Sequence, residues 1–126
     1  MARILIIDDD ALLLESIELM LMASGHAVTT AADGRLAAQL FRAQTFDLIL
    51  TDMVMPNREG IETVIAVHRD FPAVGVIAMS GGVVGSSDYL RMAARLGAHR
   101  TLSKPFTADL LHEAIAATLA AVIKPA

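Results

Sequence analysis

The chain has 126 residues, 55% of them hydrophobic, a formal net charge of −4 and no cysteine. That length suits one domain with a proper core, and the missing cysteines exclude a disulfide framework and thiolate-bound zinc. The acidic balance argues against a nucleic-acid surface, and a 4% aromatic content offers no base-stacking platform.

The apolar excess does not come from a membrane span. The longest apolar stretches, 72–85 and 114–123, are rich in Gly or Ala and fall short of the ~18 residues a spanning helix needs. Ile4 to Ile7 is too short for a secretory signal, and three aspartates follow it at once. The expectation is a cytoplasmic protein with no membrane partner. A sheet covered by helices on both sides accounts for the composition, because its strands carry no solvent face.

The elements follow in chain order. Ile4-Leu5-Ile6-Ile7 reads as a central strand, ending in Asp8-Asp9-Asp10. Leu12, Leu13, Ile17, Met20 and Leu21 recur at helical spacing, and Gly25 stops that helix. Ala27 to Ala31 is a modest strand broken by Asp33-Gly34. Arg35 to Ala43 is a second helix with Leu36, Ala37, Leu40 and Phe41 on one side. Leu48-Ile49-Leu50-Thr51 is a buried third strand that delivers Asp52 to a loop running from Met53 to Glu59. A helix from about Ile61 to Arg69 follows, closed by Phe71-Pro72. Val74 to Met79 is the fourth strand, ending at Ser80-Gly81-Gly82. Ser87-Asp88 starts a fourth helix that Gly97 ends. Arg100-Thr101-Leu102 is a short fifth strand, Ser103-Lys104-Pro105 a turn, and Thr107 caps a last Ala-rich helix to about Ile123. Strict alternation of strand and helix predicts an α/β fold, a parallel sheet with right-handed crossovers and helices on both faces. Residues 1–126 then form one domain, with no linker or repeat.

In an open parallel sheet the carboxyl ends of the strands share one edge. The residues brought there are Asp8, Asp9 and Asp10, then Asp52, Ser80 and Lys104. Clustered carboxylates repel, and they persist together when a cation sits among them. Hard oxygen donors suit Mg²⁺, with Mn²⁺ as a substitute, and not Zn²⁺. Lys104 is a point charge suited to phosphate, and Ser80 offers a hydroxyl beside uncrowded backbone amides. Metal, ammonium, hydroxyl and an attacking carboxylate together make a phosphoryl site.

Asp8-Asp9 after an apolar strand, Asp52 with Met55-Pro56 and Gly60, Ser80 followed by a small residue, and Lys104-Pro105 resemble the receiver domain of bacterial two-component response regulators. Any one piece is weak; the set, in order over essentially the whole chain, is specific. The resemblance implies a flavodoxin-like doubly wound sandwich with strand order 2-1-3-4-5. It implies that Asp52 takes a phosphoryl group from a sensor histidine kinase, a histidine phosphotransfer protein or a small donor. Asp9 and Asp52 would then ligate Mg²⁺ directly, with the backbone carbonyl of Val54, and Asp8 through water. Lys104 would pair with Asp52 before transfer and with a phosphoryl oxygen after it. Ser80 would swing toward that group and carry Gly81 and the following loop with it. Pro56 and Gly60 would shape the acceptor loop, and Lys104-Pro105 would be a cis peptide. The switched surface would comprise the fourth helix, fifth strand and fifth helix, which is also the place for a homodimer. In this reading the chain is a switch with at most weak self-phosphorylation and autodephosphorylation. It binds an unidentified protein target, with no nucleic-acid partner. Because the sequence ends with the last helix, it reads as a stand-alone receiver.

Three departures stand out. Thr101 occupies a position where receivers often carry a swinging aromatic ring. Gly81-Gly82-Val83-Val84-Gly85 makes an unusually Gly-rich loop. Val54 and Gly82 offer no polar group to orient an attacking water, which implies a slowly hydrolysed phospho-Asp52.

The bland readings are a helix N-terminal acidic cluster for Asp8-Asp9-Asp10, turn geometry for Pro56 and Gly60, and surface or packing roles for His26, His68, His99 and His112. Two other functions fit parts of the set. A Mg-dependent phosphatase resembling the haloacid-dehalogenase family would use Asp8-x-Asp10 with Asp8 as nucleophile, but leaves Asp52 idle. A phosphorylation-independent pseudo-receiver would keep the fold alone.

Overall fold

The computed structural model describes residues 2–53, 59–81 and 86–122, with the side chains of 59 and 86–90 excepted. Val54, Pro56 and Gly82 lie outside the described residues. The strands are β1 (Arg3–Ile7), β2 (Ala27–Ala31), β3 (Leu48–Asp52), β4 (Gly75–Ser80) and β5 (Arg100–Ser103), and the helices between and after them are α1 (Ala11–Ala23), α2 (Gly34–Ala43), α3 (Glu59–Asp70), α4 (Ser86–Leu96) and α5 (Ala108–Val122). All pairings are parallel, in the order β2-β1-β3-β4-β5. The expected doubly wound topology is therefore what the chain adopts. The element ends differ by a residue or two: β4 runs on to include Ser80, and α3 begins at Glu59.

The central strands look uniformly apolar because both their faces are buried. Side chains alternate across a strand. Ile4 and Ile6 of β1 and Leu48 and Leu50 of β3 pack with Leu14, Ile17 and Leu21 of α1 and with Leu111, Ala114 and Ile115 of α5. Their neighbours Leu5, Ile7 and Ile49 pack on the other side with Ala37 of α2, Val64 and Val67 of α3 and Ala93 of α4. No strand position in the middle of the sheet is left for a polar side chain except at its carboxyl end, where chemistry can collect.

Capping sets the helix starts. Asp10 accepts from the amides of Leu12 (3.1 Å) and Leu13 (3.2 Å), Asp33 from that of Leu36 (2.8 Å), and Thr107 Oγ1 from that of Leu110 (3.1 Å). Two histidines fix strand starts. His26 Nδ1 accepts from the Ala2 amide, and His99 Nδ1 from the Val76 amide, both at 3.1 Å. Gly97 adopts φ +123 and lies so close to the His68 ring that a Cβ there would collide with it.

Candidate functional site

The register brings the strand ends level. Asp52 of β3 stands opposite Met79 of β4, and Ser80 opposite Ser103 of β5. Three backbone bonds extend the ladders past the strands: Asp8 N–H to Ala31 O (3.1 Å), Met53 N–H to Met79 O (2.8 Å) and Lys104 N–H to Ser80 O (2.8 Å). Asp8, Asp52, Ser80 and Lys104 are thus held at one edge by the sheet itself.

Asp8 and Asp52 are 1% and 4% exposed, whereas Asp9 faces solvent. Asp8, Asp9 and Asp52 each offer a carboxylate oxygen, and these atoms lie within 4.8 Å of one another. Lys104 Nζ donates to Asp8 Oδ2 at 2.7 Å and lies 3.5 Å from Asp52 Oδ1. The ammonium is therefore nearer to Asp8 than to Asp52, the partner expected for it. Asp8 Oδ1 is taken up by the amide of Asp10 at 2.9 Å. The Ser80 hydroxyl is buried and finds no hydrogen-bond partner among the described residues. A buried hydroxyl left unpaired costs free energy, so this one is poised for a ligand that supplies an acceptor.

The aspartate triplet divides. Asp8 and Asp9 enter the carboxylate cluster, while Asp10 spends its carboxylate on the first amides of α1. The second acid of a haloacid-dehalogenase reading, Asp10, thus caps α1 and is not one of the clustered carboxylates. Lys104-Pro105 is a cis peptide, as the resemblance implied. Thr101 is exposed on β5.

Two glycines set spacings that the sequence reading assigned only loosely. A Cβ on Gly60 would strike the carbonyl oxygen of Asp52, so glycine lets the first turn of α3 sit directly on the Asp52 backbone. A Cβ on Gly81 would meet Lys104 O at 2.5 Å and Lys104 Cβ at 2.6 Å. Gly81 therefore gives Lys104 room to come alongside β4, a role that a small residue after Ser80 hints at but does not specify.

Three clustered carboxylates, a bridging lysine and a buried hydroxyl thus share one edge of a doubly wound parallel sheet. Residues 4–116 match the profile of the response regulator receiver domain, and the chain belongs to that family of two-component phosphoacceptor switches. Among its relatives, transcription factor SKN7 of Saccharomyces cerevisiae is 32% identical over 111 residues, 87% of this chain and 17% of that protein. Transcriptional regulatory protein GlrR of Escherichia coli is 29% identical over 114 residues, 90% of this chain and 25% of that protein. The chain thus spans a quarter or less of the length of these two curated relatives. The crystal structure of a response regulator receiver domain protein from Clostridium thermocellum superposes with a TM-score of 0.88 at 31% identity, covering 96% of each chain. No helix among the described residues is long and apolar enough to cross a membrane.

Proposed function

We propose that Asp52 is the phosphoacceptor of this receiver domain and that its donor is the phosphohistidine of a partner sensor kinase or phosphotransfer protein, or a small acyl phosphate. One observation carries the reading: Lys104 Nζ sits between Asp8 and Asp52 in a three-carboxylate cluster at the end of β3. An Asp52 oxygen forms the new O–P bond as the P–N bond to the donor imidazole breaks. The imidazole nitrogen keeps that electron pair and then takes a proton from solvent. Asp8 holds the Lys104 ammonium beside Asp52, where it can follow the charge from the carboxylate to a phosphoryl oxygen. Ser80 supplies its unpaired hydroxyl as a donor to the same group.

An all-oxygen donor set of Asp8, Asp9 and Asp52 fits Mg²⁺ or Mn²⁺. Asp9 and Asp52 would hold the ion directly and Asp8 through water, with the Val54 carbonyl added. When bound, the ion neutralises charge on the transferring phosphoryl group. We read residues 1–126 as one receiver unit that relays its state through α4, β5 and α5. The same surface is our candidate for a homodimer contact. The names of the relatives include transcription factors, so the expectation of no nucleic-acid partner rests on this chain's own charge alone.

The test is chemical mapping. The protein is incubated with acetyl phosphate and Mg²⁺ and reduced with borohydride, which converts an aspartyl phosphate to homoserine, and the site is located by peptide mass spectrometry. Homoserine at position 52 is expected, and none in Asp52→Asn. Modification at Asp8 instead, or no modification in the folded protein, would overturn the reading.

A further inference from the structure

A well-formed cavity lies away from the carboxylate cluster. It lies between α2 and α3, with a volume of about 540 Å³, within the ~300–1,000 Å³ range of small-molecule sites. Its floor is apolar, made by the buried Ala37 and Val67. Ala38 and Ala66 keep the walls low. Toward the C-terminal ends of both helices it is closed by Phe41 and Phe71, whose rings lie 5.2 Å apart at 34°. Phe71 is 41% exposed, so an aromatic face is open to an occupant.

Charge on the rim is uneven. Arg35 and Arg42 line the α2 wall, two helical turns apart, about 10 Å along the axis. Neither forms an ion pair among the described residues. On the α3 wall stand Glu62 and Asp70. Asp70 is already held by Arg69 through two bonds of 2.8 and 3.0 Å. Two uncommitted guanidinium groups therefore face one uncommitted carboxylate across an apolar slot. Guanidinium binds carboxylate by paired N–H donors, and the slot takes an apolar body.

From this juxtaposition we infer a second ligand site, between α2 and α3, for an amphipathic organic anion: an aliphatic or aromatic body on Ala38, Ala66, Phe41 and Phe71, with its carboxylate on Arg35 or Arg42. The site is independent of the phosphoryl chemistry. It is nevertheless mechanically close to it, because the first turn of α3 rests on the Asp52 backbone at Gly60.

The test titrates the unphosphorylated protein with sodium octanoate, followed by ¹H–¹⁵N correlation spectra, with octylammonium as the charge-reversed control. Saturable shifts confined to residues of α2, α3 and Phe71 are expected, with octanoate at least tenfold tighter than octylammonium. The double variant Arg35→Gln/Arg42→Gln, altered only at exposed positions, should weaken octanoate tenfold or more and erase the preference over octylammonium. Ala66→Leu should block both probes; if that variant does not fold, Ala38→Leu at an exposed position serves the same purpose. Non-saturating shifts, shifts centred elsewhere, equal affinity for the two probes, or an unchanged octanoate affinity in the arginine variant would overturn the assignment.

Discussion

Replacing Lys104 by Met removes its ammonium from the carboxylate cluster while keeping an unbranched side chain of similar length. At an effective dielectric of ~20, a unit charge pair is worth about 6 kcal/mol at the 2.7 Å to Asp8 and about 5 kcal/mol at the 3.5 Å to Asp52. Carboxylate oxygens within 4.8 Å repel by about 3.5 kcal/mol or more per pair, roughly 10 kcal/mol over the three pairs. The lysine thus about balances the cluster. Breaking a buried pair from one side costs ~3–5 kcal/mol. Asp9 is exposed and Lys104 a fifth exposed, so solvent screening reduces this to about 2–4 kcal/mol. For 126 residues, a change of 1 kcal/mol is about 4 °C in Tm. Urea unfolding of metal-free Lys104→Met at pH 7.5 should show that loss, and saturating Mg²⁺ should stabilise the variant more than it stabilises wild type. Asp52→Asn, which removes one of the repelling charges, should move the metal-free midpoint the other way, by about 1 kcal/mol. A Lys104→Met midpoint equal to that of wild type without metal would refute the charge-balance argument.

Three further outcomes are expected. Gly60→Ala places a methyl group against the Asp52 carbonyl, which cannot move aside; it should cost about 1–3 kcal/mol and slow phosphorylation by acetyl phosphate, and a variant as stable and as fast as wild type would contradict the contact. Burial, with the amino terminus and His112 beside His26 and with His68 beside His99, holds both imidazoles below their usual range, and each accepts a backbone amide on Nδ1, which only the neutral ring can do. The unfolded chain therefore binds more protons below pH ~6.5, so stability should be level above about pH 7 and fall as the pH drops below about 6.5. His26→Gln combined with His99→Gln should flatten that slope, and a stability that rises on acidification in wild type would count against it. Finally, Val54 carries no polar side chain to orient water, so phospho-Asp52 should persist well beyond seconds in Mg²⁺; a half-life of seconds, read by phosphate release, would speak for a water-orienting group elsewhere.

Much of this protein is written locally. Apolar runs without alternation, each followed by a helical repeat, determine a parallel sheet covered on both faces, because a strand buried on both sides has no polar position to spare. The same pattern determines that Asp8, Asp52, Ser80 and Lys104 fall at strand ends, and hence on one edge. What the sequence could not decide depends on distances of a few ångströms between residues far apart in the chain. Spacing alone leaves Asp8-Asp9-Asp10 as three equivalent acids, and the resemblance picks Asp8 and Asp9; the entry of α1 supplies the physical reason, turning Asp10 onto its own helix amides and leaving the other two for the cluster. Gly60 reads as a turn residue and Gly81 as the small residue after Ser80, but their neighbours in space are the Asp52 carbonyl and Lys104. His26 and His99 read as incidental, yet each ties down a strand start 24 and 23 residues away along the chain. The slot between α2 and α3 has no sequence signature, because it is made by two crossover helices that meet only once the strand order has placed them side by side. Periodicity is a property of neighbours along the chain and survives in the sequence. Convergence is a property of register and helix packing, and it exists only in the folded protein.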